Sequence, residues 1–123
     1  MKQALVIDDS RAMRMILKKH LLGLGFEVWE AGHGLQALEV LQTKGVPDIC
    51  LVDWNMPEMN GLEFLKAVRA NGAYAGLRIM MVTSETEIDR MLLALEAGAD
   101  EYVMKPFTQE TIQDKLALLG IAA

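Results

Sequence analysis

Four positions in the chain pair a short apolar run with a polar group at its end. Asp8 and Asp9 follow Ala4-Leu5-Val6-Ile7, and Asp53 follows Ile49-Cys50-Leu51-Val52. Thr83 ends Ile79-Met80-Met81-Val82, and Lys105 ends Tyr102-Val103-Met104. A carboxylate at the end of a buried strand is poorly solvated and needs a cation, a donor or a proton. Three carboxylates brought together raise one another's pKa until a cation joins them. Hard oxygen ligands with room left for water suit Mg²⁺, which takes one or two carboxylates plus a phosphate. Lys105 would add a second positive charge and Thr83 a hydroxyl donor. The space that remains would hold a phosphoryl group on Asp53, with its charge spread over these groups. Each residue alone has an ordinary reading. Asp53 could cap a turn, Asp8 and Asp9 could cap the first helix, and Thr83 could be a plain strand-end hydroxyl. The set is what points to chemistry.

Convergence of the set requires particular elements. Short apolar runs bounded by turn residues read as buried strands, here 4–7, 26–31, 49–53, 79–83 and 101–105. Between them lie helical patterns. Met13, Ile16, Leu17, Leu21 and Leu24 mark the first, with Asp9 or Ser10 as N-cap and Gly23 and Gly25 at its end. Gly34 opens the second, with Ala37, Leu38 and Leu41 inward, and Gly45 and Pro47 stop it. Leu62, Leu65 and Val68 mark the third, which starts near Asn60-Gly61. Ile88, Met91, Leu92 and Leu95 make an i, i+3, i+4, i+7 stripe ended by Gly98. Thr108 caps the last, which carries Ile112, Leu116 and Leu119. Five strands alternating with five helices call for a doubly wound parallel α/β sheet with right-handed crossovers. In such a sheet all C-terminal strand ends share one edge, so with the first strand central the four polar positions would meet in one crevice.

The totals narrow the function classes. A chain of 123 residues makes one domain, spanning 1–123, with 52% hydrophobic and 24% charged residues as in an ordinary globule. A net charge of −5 argues against a phosphate-backbone binder, so no nucleic-acid partner is expected. Cys50, the one cysteine, reads as a small buried hydrophobe. The apolar run at 4–7 is too short for a signal peptide or a membrane span, which makes a cytoplasmic location the simplest reading.

Taken together, Asp8-Asp9, Asp53, Met56-Pro57, Gly61, Thr83 and Lys105-Pro106 resemble the receiver domain of two-component response regulators over essentially the whole chain. The likeness is strongest to single-domain chemotaxis receivers, through Asp53-Trp54-Asn55-Met56-Pro57, Met81-Val82-Thr83 and Lys105-Pro106-Phe107-Thr108. The resemblance implies a flavodoxin-like (βα)5 fold with strand order 2-1-3-4-5. It implies that Asp53 is the phosphoacceptor, loaded by a histidine kinase or a small phosphodonor. Asp8, Asp9, Asp53 and the backbone carbonyl of Asn55 would bind Mg²⁺, with Mn²⁺ able to substitute. Lys105 and Thr83 would hold phosphoryl oxygens, Thr83 and Tyr102 would form the switch, and Asn55 and Glu85 would tune the phosphoryl lifetime. The Lys105–Pro106 bond would be cis. A downstream target would dock on the face around Leu92, Leu93, Tyr102 and the last helix. Two departures, Ser10 where an aromatic is usual and Ser84 where Ala is usual, bear on the partner surface and the lifetime.

The expected function is therefore a stand-alone phosphorylation switch in chemotaxis or motility signalling. It would not be an enzyme acting on external substrates, and its chemistry would be its own phosphoryl transfer and autodephosphorylation. The alternative within the family is a phosphorelay intermediate that passes phosphate to a histidine phosphotransfer protein. A Mg²⁺-dependent phosphatase on a similar sheet would want a second Asp two residues past the nucleophile, where Asn55 stands. A remoter alternative is a dinucleotide- or flavin-binding module, because Gly32-His33-Gly34-Leu35-Gln36-Ala37 fits G-x-G-x-x-G/A. It lies in the second βα unit and leaves Lys105 and Thr83 without work. His20 and His33 have no ligand partners at metal spacing and read as ordinary surface residues.

Overall fold

Turn chemistry sets where each element begins. In the computed structural model, which describes residues 1–84 and 88–121, β1 (Gln3–Ile7) leads to α1 (Arg11–Gly23) and β2 (Glu27–Ala31) to α2 (Gly34–Lys44). β3 (Ile49–Asp53) leads to α3 (Gly61–Arg69), β4 (Ile79–Ser84) to α4 (Ile88–Glu96), and β5 (Glu101–Lys105) to α5 (Gln109–Leu118). A short 3-10 turn, Gly72–Tyr74, precedes β4. Ser10 is the N-cap of α1, its hydroxyl accepting from the Met13 amide, and Thr108 caps α5 in the same way. Asn60 and Glu63 close a reciprocal capping box on α3, satisfying two orphan donors at once.

The five strands form one parallel sheet in the order β2-β1-β3-β4-β5, as the resemblance implies. Alternation along each strand sends side chains to two faces. Leu5, Ile7, Cys50 and Val52 join Phe64, Leu65 and Ala94 on one face, beneath α2, α3 and α4. Ala4, Val6, Leu51 and Val82 join Leu17, Leu21, Ile112 and Leu116 on the other, beneath α1 and α5. β3 is buried along its whole length, which fixes Asp53 between two neighbours. Cys50 is fully buried, and burial pushes its thiol pKa up.

Two apolar stripes differ from their sequence patterns. On α1, Ile16 is exposed while Leu17 and Leu21 fill the core. On α4, Leu92 and Leu95 face solvent, and the inward positions are Met91 and Ala94. The small Ala94 lets α4 lie close to the sheet, so the helix carries more leucine than its contact buries.

At the edge where β4 and β5 begin, Arg69 at the end of α3 is fully engaged. Its guanidinium donates to the carbonyls of Gly98 (2.9 Å), Tyr74 (3.2 Å) and Leu77 (2.8 Å) and to Asp100 Oδ2 (2.9 Å). Asp100 Oδ2 also accepts the Ile79 amide at 2.8 Å.

Candidate functional site

The opposite edge of the sheet gathers the polar strand ends. Ile7 pairs with Val52, which sets Asp8 beside Asp53, and Asp53 pairs with Val82, which sets Thr83 one step further along β4. Asp8, Asp53 and Thr83 are buried, and Asp9 is exposed at the rim. One carboxylate oxygen from each of Asp8, Asp9 and Asp53 lies within 4.8 Å of the others. Lys105, the last residue of β5, reaches Asp53 Oδ1 with its ammonium at 3.3 Å. The Lys105–Pro106 bond is cis.

Three carboxylates face one ammonium here. Asp8 Oδ1 accepts the Ser10 amide at 2.9 Å, and its backbone carbonyl accepts Arg14 Nη1 at 2.6 Å. Asp8 Oδ2 is buried and has no hydrogen-bond partner among the described residues. A buried, unpartnered carboxylate oxygen is costly unless something electropositive meets it. Burial raises the Asp8 pKa, against the pull of the Ser10 amide and of Lys105. Burial first, and then the Asp8 charge, push Asp53 up to about 6 from 3.8, against the pull of Lys105. The donor set is all hard oxygen, and the orphaned Asp8 Oδ2 points to a missing partner. A divalent hard cation fits both observations.

Gly61, the first residue of α3, is packed against the back of this pocket. A Cβ there would lie 2.5 Å from the carbonyl oxygen of Asp53 and 3.0 Å from the Cα of Trp54. The Gly61 amide donates to the Trp54 carbonyl at 2.8 Å, so the loop closes tightly behind the carboxylate.

A search with family models matches residues 4–117 to the response regulator receiver domain. The chain belongs to that family. Among relatives of this receiver, chemotaxis protein CheY1 of Helicobacter pylori strain J99 is 43% identical over 116 residues, covering 94% of each chain. The chemotaxis protein CheY homolog of Campylobacter jejuni strain 81-176 is 45% identical over 113 residues, covering 91% of this chain and 87% of that one. Among solved structures, the chemotaxis response regulator CheY4 of Vibrio cholerae superposes with a TM-score of 0.88 at 35% identity, covering 97% of this chain and 98% of that one.

The Asn55 side chain is exposed at the rim, where its Oδ1 accepts Arg90 Nη1 at 3.0 Å. Tyr102 is half-buried on β5, with Lys115 Nζ 4.4 Å from its ring centroid. Leu92 and Leu93 are exposed on α4. Glu85 lies outside the described residues. His33 is no bystander: it is the N-cap of α2, its Nδ1 accepting the Gln36 amide at 3.2 Å. Gln36 in turn accepts the Gly32 amide at 2.6 Å. Two of the amides at G-x-G-x-x-A, those of Gly32 and Gln36, are thus engaged by side chains. Among the described residues, no helix is long and apolar enough to cross a membrane. Sequence reasoning missed Arg14 and Arg90. Arg14 carried a weak signal, one turn past Ser10, whereas Arg90 is separated by 35 residues from its partner Asn55.

Proposed function

We propose that residues 1–123 form one receiver domain that works as a phosphorylation-operated switch, with Asp53 as the phosphoacceptor. The observation that carries the proposal is the under-compensated pocket: three converging carboxylates, the orphaned Asp8 Oδ2, and Lys105 already on Asp53 Oδ1. An Asp53 oxygen forms a bond to phosphorus as the donor's phosphorus–nitrogen or phosphorus–oxygen bond breaks, and the electron pair leaves with the donor. The donor is a phosphohistidine kinase or a small acyl phosphate. Asp8, Asp9, Asp53 and the Asn55 backbone carbonyl would hold Mg²⁺, or Mn²⁺ in its place. Bound Mg²⁺ supplies charge neutralisation for the phosphoryl oxygens. Lys105 pairs with a phosphoryl oxygen, and the Thr83 hydroxyl donates to another. Asn55 and Glu85 tune the lifetime of the phosphoryl group.

Thr83 and Tyr102 carry the change outward, Tyr102 turning further into the core as Thr83 moves toward the phosphoryl group. The receiving face is α4, β5 and α5, where Leu92 and Leu93 stand exposed. The 43–45% identity to chemotaxis proteins over nearly the whole chain supports a histidine-kinase pathway in chemotaxis or motility, in the cytoplasm.

Intact-mass spectrometry after incubation with acetyl phosphate and Mg²⁺ tests this directly. One phosphoryl adduct is expected on the unaltered chain, lost without Mg²⁺ and absent from Asp53→Asn. No adduct on the unaltered chain, with beryllofluoride also failing to bind, would overturn the reading.

A further inference from the structure

Arg90 stands on the first turn of α4, yet its side chain reaches back to the loop that follows β3. Its guanidinium donates to Asn55 Oδ1 at 3.0 Å and lies 5.5 Å from the centroid of the Trp54 ring. Trp54 and Asn55 are the two residues that follow Asp53 in the chain. A planar guanidinium can bond with its fork and stack with its face at the same time, which an ammonium cannot. Trp54 is buried, so the stacking surface does not wander. Arg90 therefore clasps the loop on which the phosphoacceptor is mounted.

The position of the clasp matters for one step in particular. In hydrolysis of an aspartyl phosphate, a water oxygen forms a bond to phosphorus opposite the Asp53 oxygen. The phosphorus–Asp53 bond breaks, its electron pair returns to the carboxylate, and the water's proton passes to solvent. That in-line approach comes from the mouth, because α3 and Gly61 close the back of the pocket. The Asn55 amide oxygen is an exposed acceptor at the mouth that could orient such a water, and Arg90 holds that acceptor.

We propose that Arg90 is a positioning residue that slows loss of the phosphoryl group by occupying Asn55 Oδ1. The inference rests on Asp53 being phosphorylated and adds a residue that sets how long the phosphoryl group lasts.

The test loads the full chain with acetyl phosphate and Mg²⁺, removes the donor and follows decay of the adduct by intact mass. Arg90→Ala should speed decay on the order of tenfold, the kinetic equivalent of one hydrogen bond to a charged group. Arg90→Lys, which keeps the charge and loses the fork, should decay nearly as fast as Arg90→Ala. In an Asn55→Ala background, Arg90→Ala should add little, because the acceptor it controls is gone. A folded Arg90→Ala chain with unchanged decay would overturn the inference. So would Arg90→Lys decaying like the unaltered chain, or an acceleration that persists in full without Asn55. If the unaltered chain takes up no phosphoryl group, the functional reading itself fails, and this inference fails with it; loading followed by unchanged decay removes the inference alone.

Discussion

Two clusters of charge occupy the two edges of the same sheet, and they are built to opposite rules. At the edge where β4 and β5 begin, Arg69 spends its donors on three carbonyls and Asp100, and Asp100 also takes a backbone amide. At the edge where the strands end, Asp8, Asp9 and Asp53 gather around Lys105, and among the described residues a buried oxygen of Asp8 is unmet. The first arrangement closes its own hydrogen bonds and fastens α3 to the β4–β5 edge. The second costs stability in the isolated chain and leaves room for what will complete it. A charge cluster that compensates itself is structural, whereas one left with a deficit is waiting for a ligand.

The contrast can be broken from either side. Arg69→Ala should have the largest effect, destabilising the fold by about 3 kcal/mol in denaturant unfolding, because it leaves a carboxylate and three carbonyls without their donor. The acidic edge should respond in the opposite direction. Asp53 has a folded pKa raised from 3.8 to about 6, so folding favours its protonated form. Its favourable contribution is complete below pH 3.8 and is lost as pH rises through about 6. In chelator, melting temperature should therefore fall across that window, and Asp53→Asn should flatten the fall. Saturating Mg²⁺ should restore the loss at neutral pH. Asp8→Asn, which removes the larger of the two carboxylate repulsions on Asp53, should stabilise the metal-free protein by about 1 kcal/mol and blunt its response to Mg²⁺. A melting curve indifferent to both changes would erase the contrast. The smallest effect is expected at the exposed Leu92 of α4. Leu92→Ser should leave unfolding within about 0.5 kcal/mol, while Met91→Ala, a buried truncation, should cost about 2 kcal/mol.

The sequence carried some of this plainly and hid the rest for identifiable reasons. β3 and β5 end where the runs 49–53 and 101–105 end, because each stops at a charged residue followed by a Pro- or Gly-bearing loop. The convergence of Asp8, Asp9, Asp53 and Lys105 followed from their places at strand ends together with a central β1, an order that the resemblance implied. Periodicity failed on α4 because it weighs leucine above alanine, while close packing on the sheet selected Ala94 and left Leu92 and Leu95 outside. His33 was misjudged because a cap depends on the direction of a side chain relative to a helix start, and no composition signal reports that. Arg69 and Arg90 were invisible for a third reason. Their side-chain partners Asp100 and Asn55 are separated from them by 31 and 35 residues, and only the fold brings them together.

Gly61 carries a consequence for the history of such a chain. Most surface positions here can drift through many side chains at little cost. At position 61 the smallest possible step, a single methyl group, already collides with the backbone that carries Asp53. To make room, the helix start and the strand end would have to move apart. The Asp53 carboxylate is thus held in place partly by an atom that position 61 lacks, which makes that position intolerant of drift while the strand end and helix start stay this close.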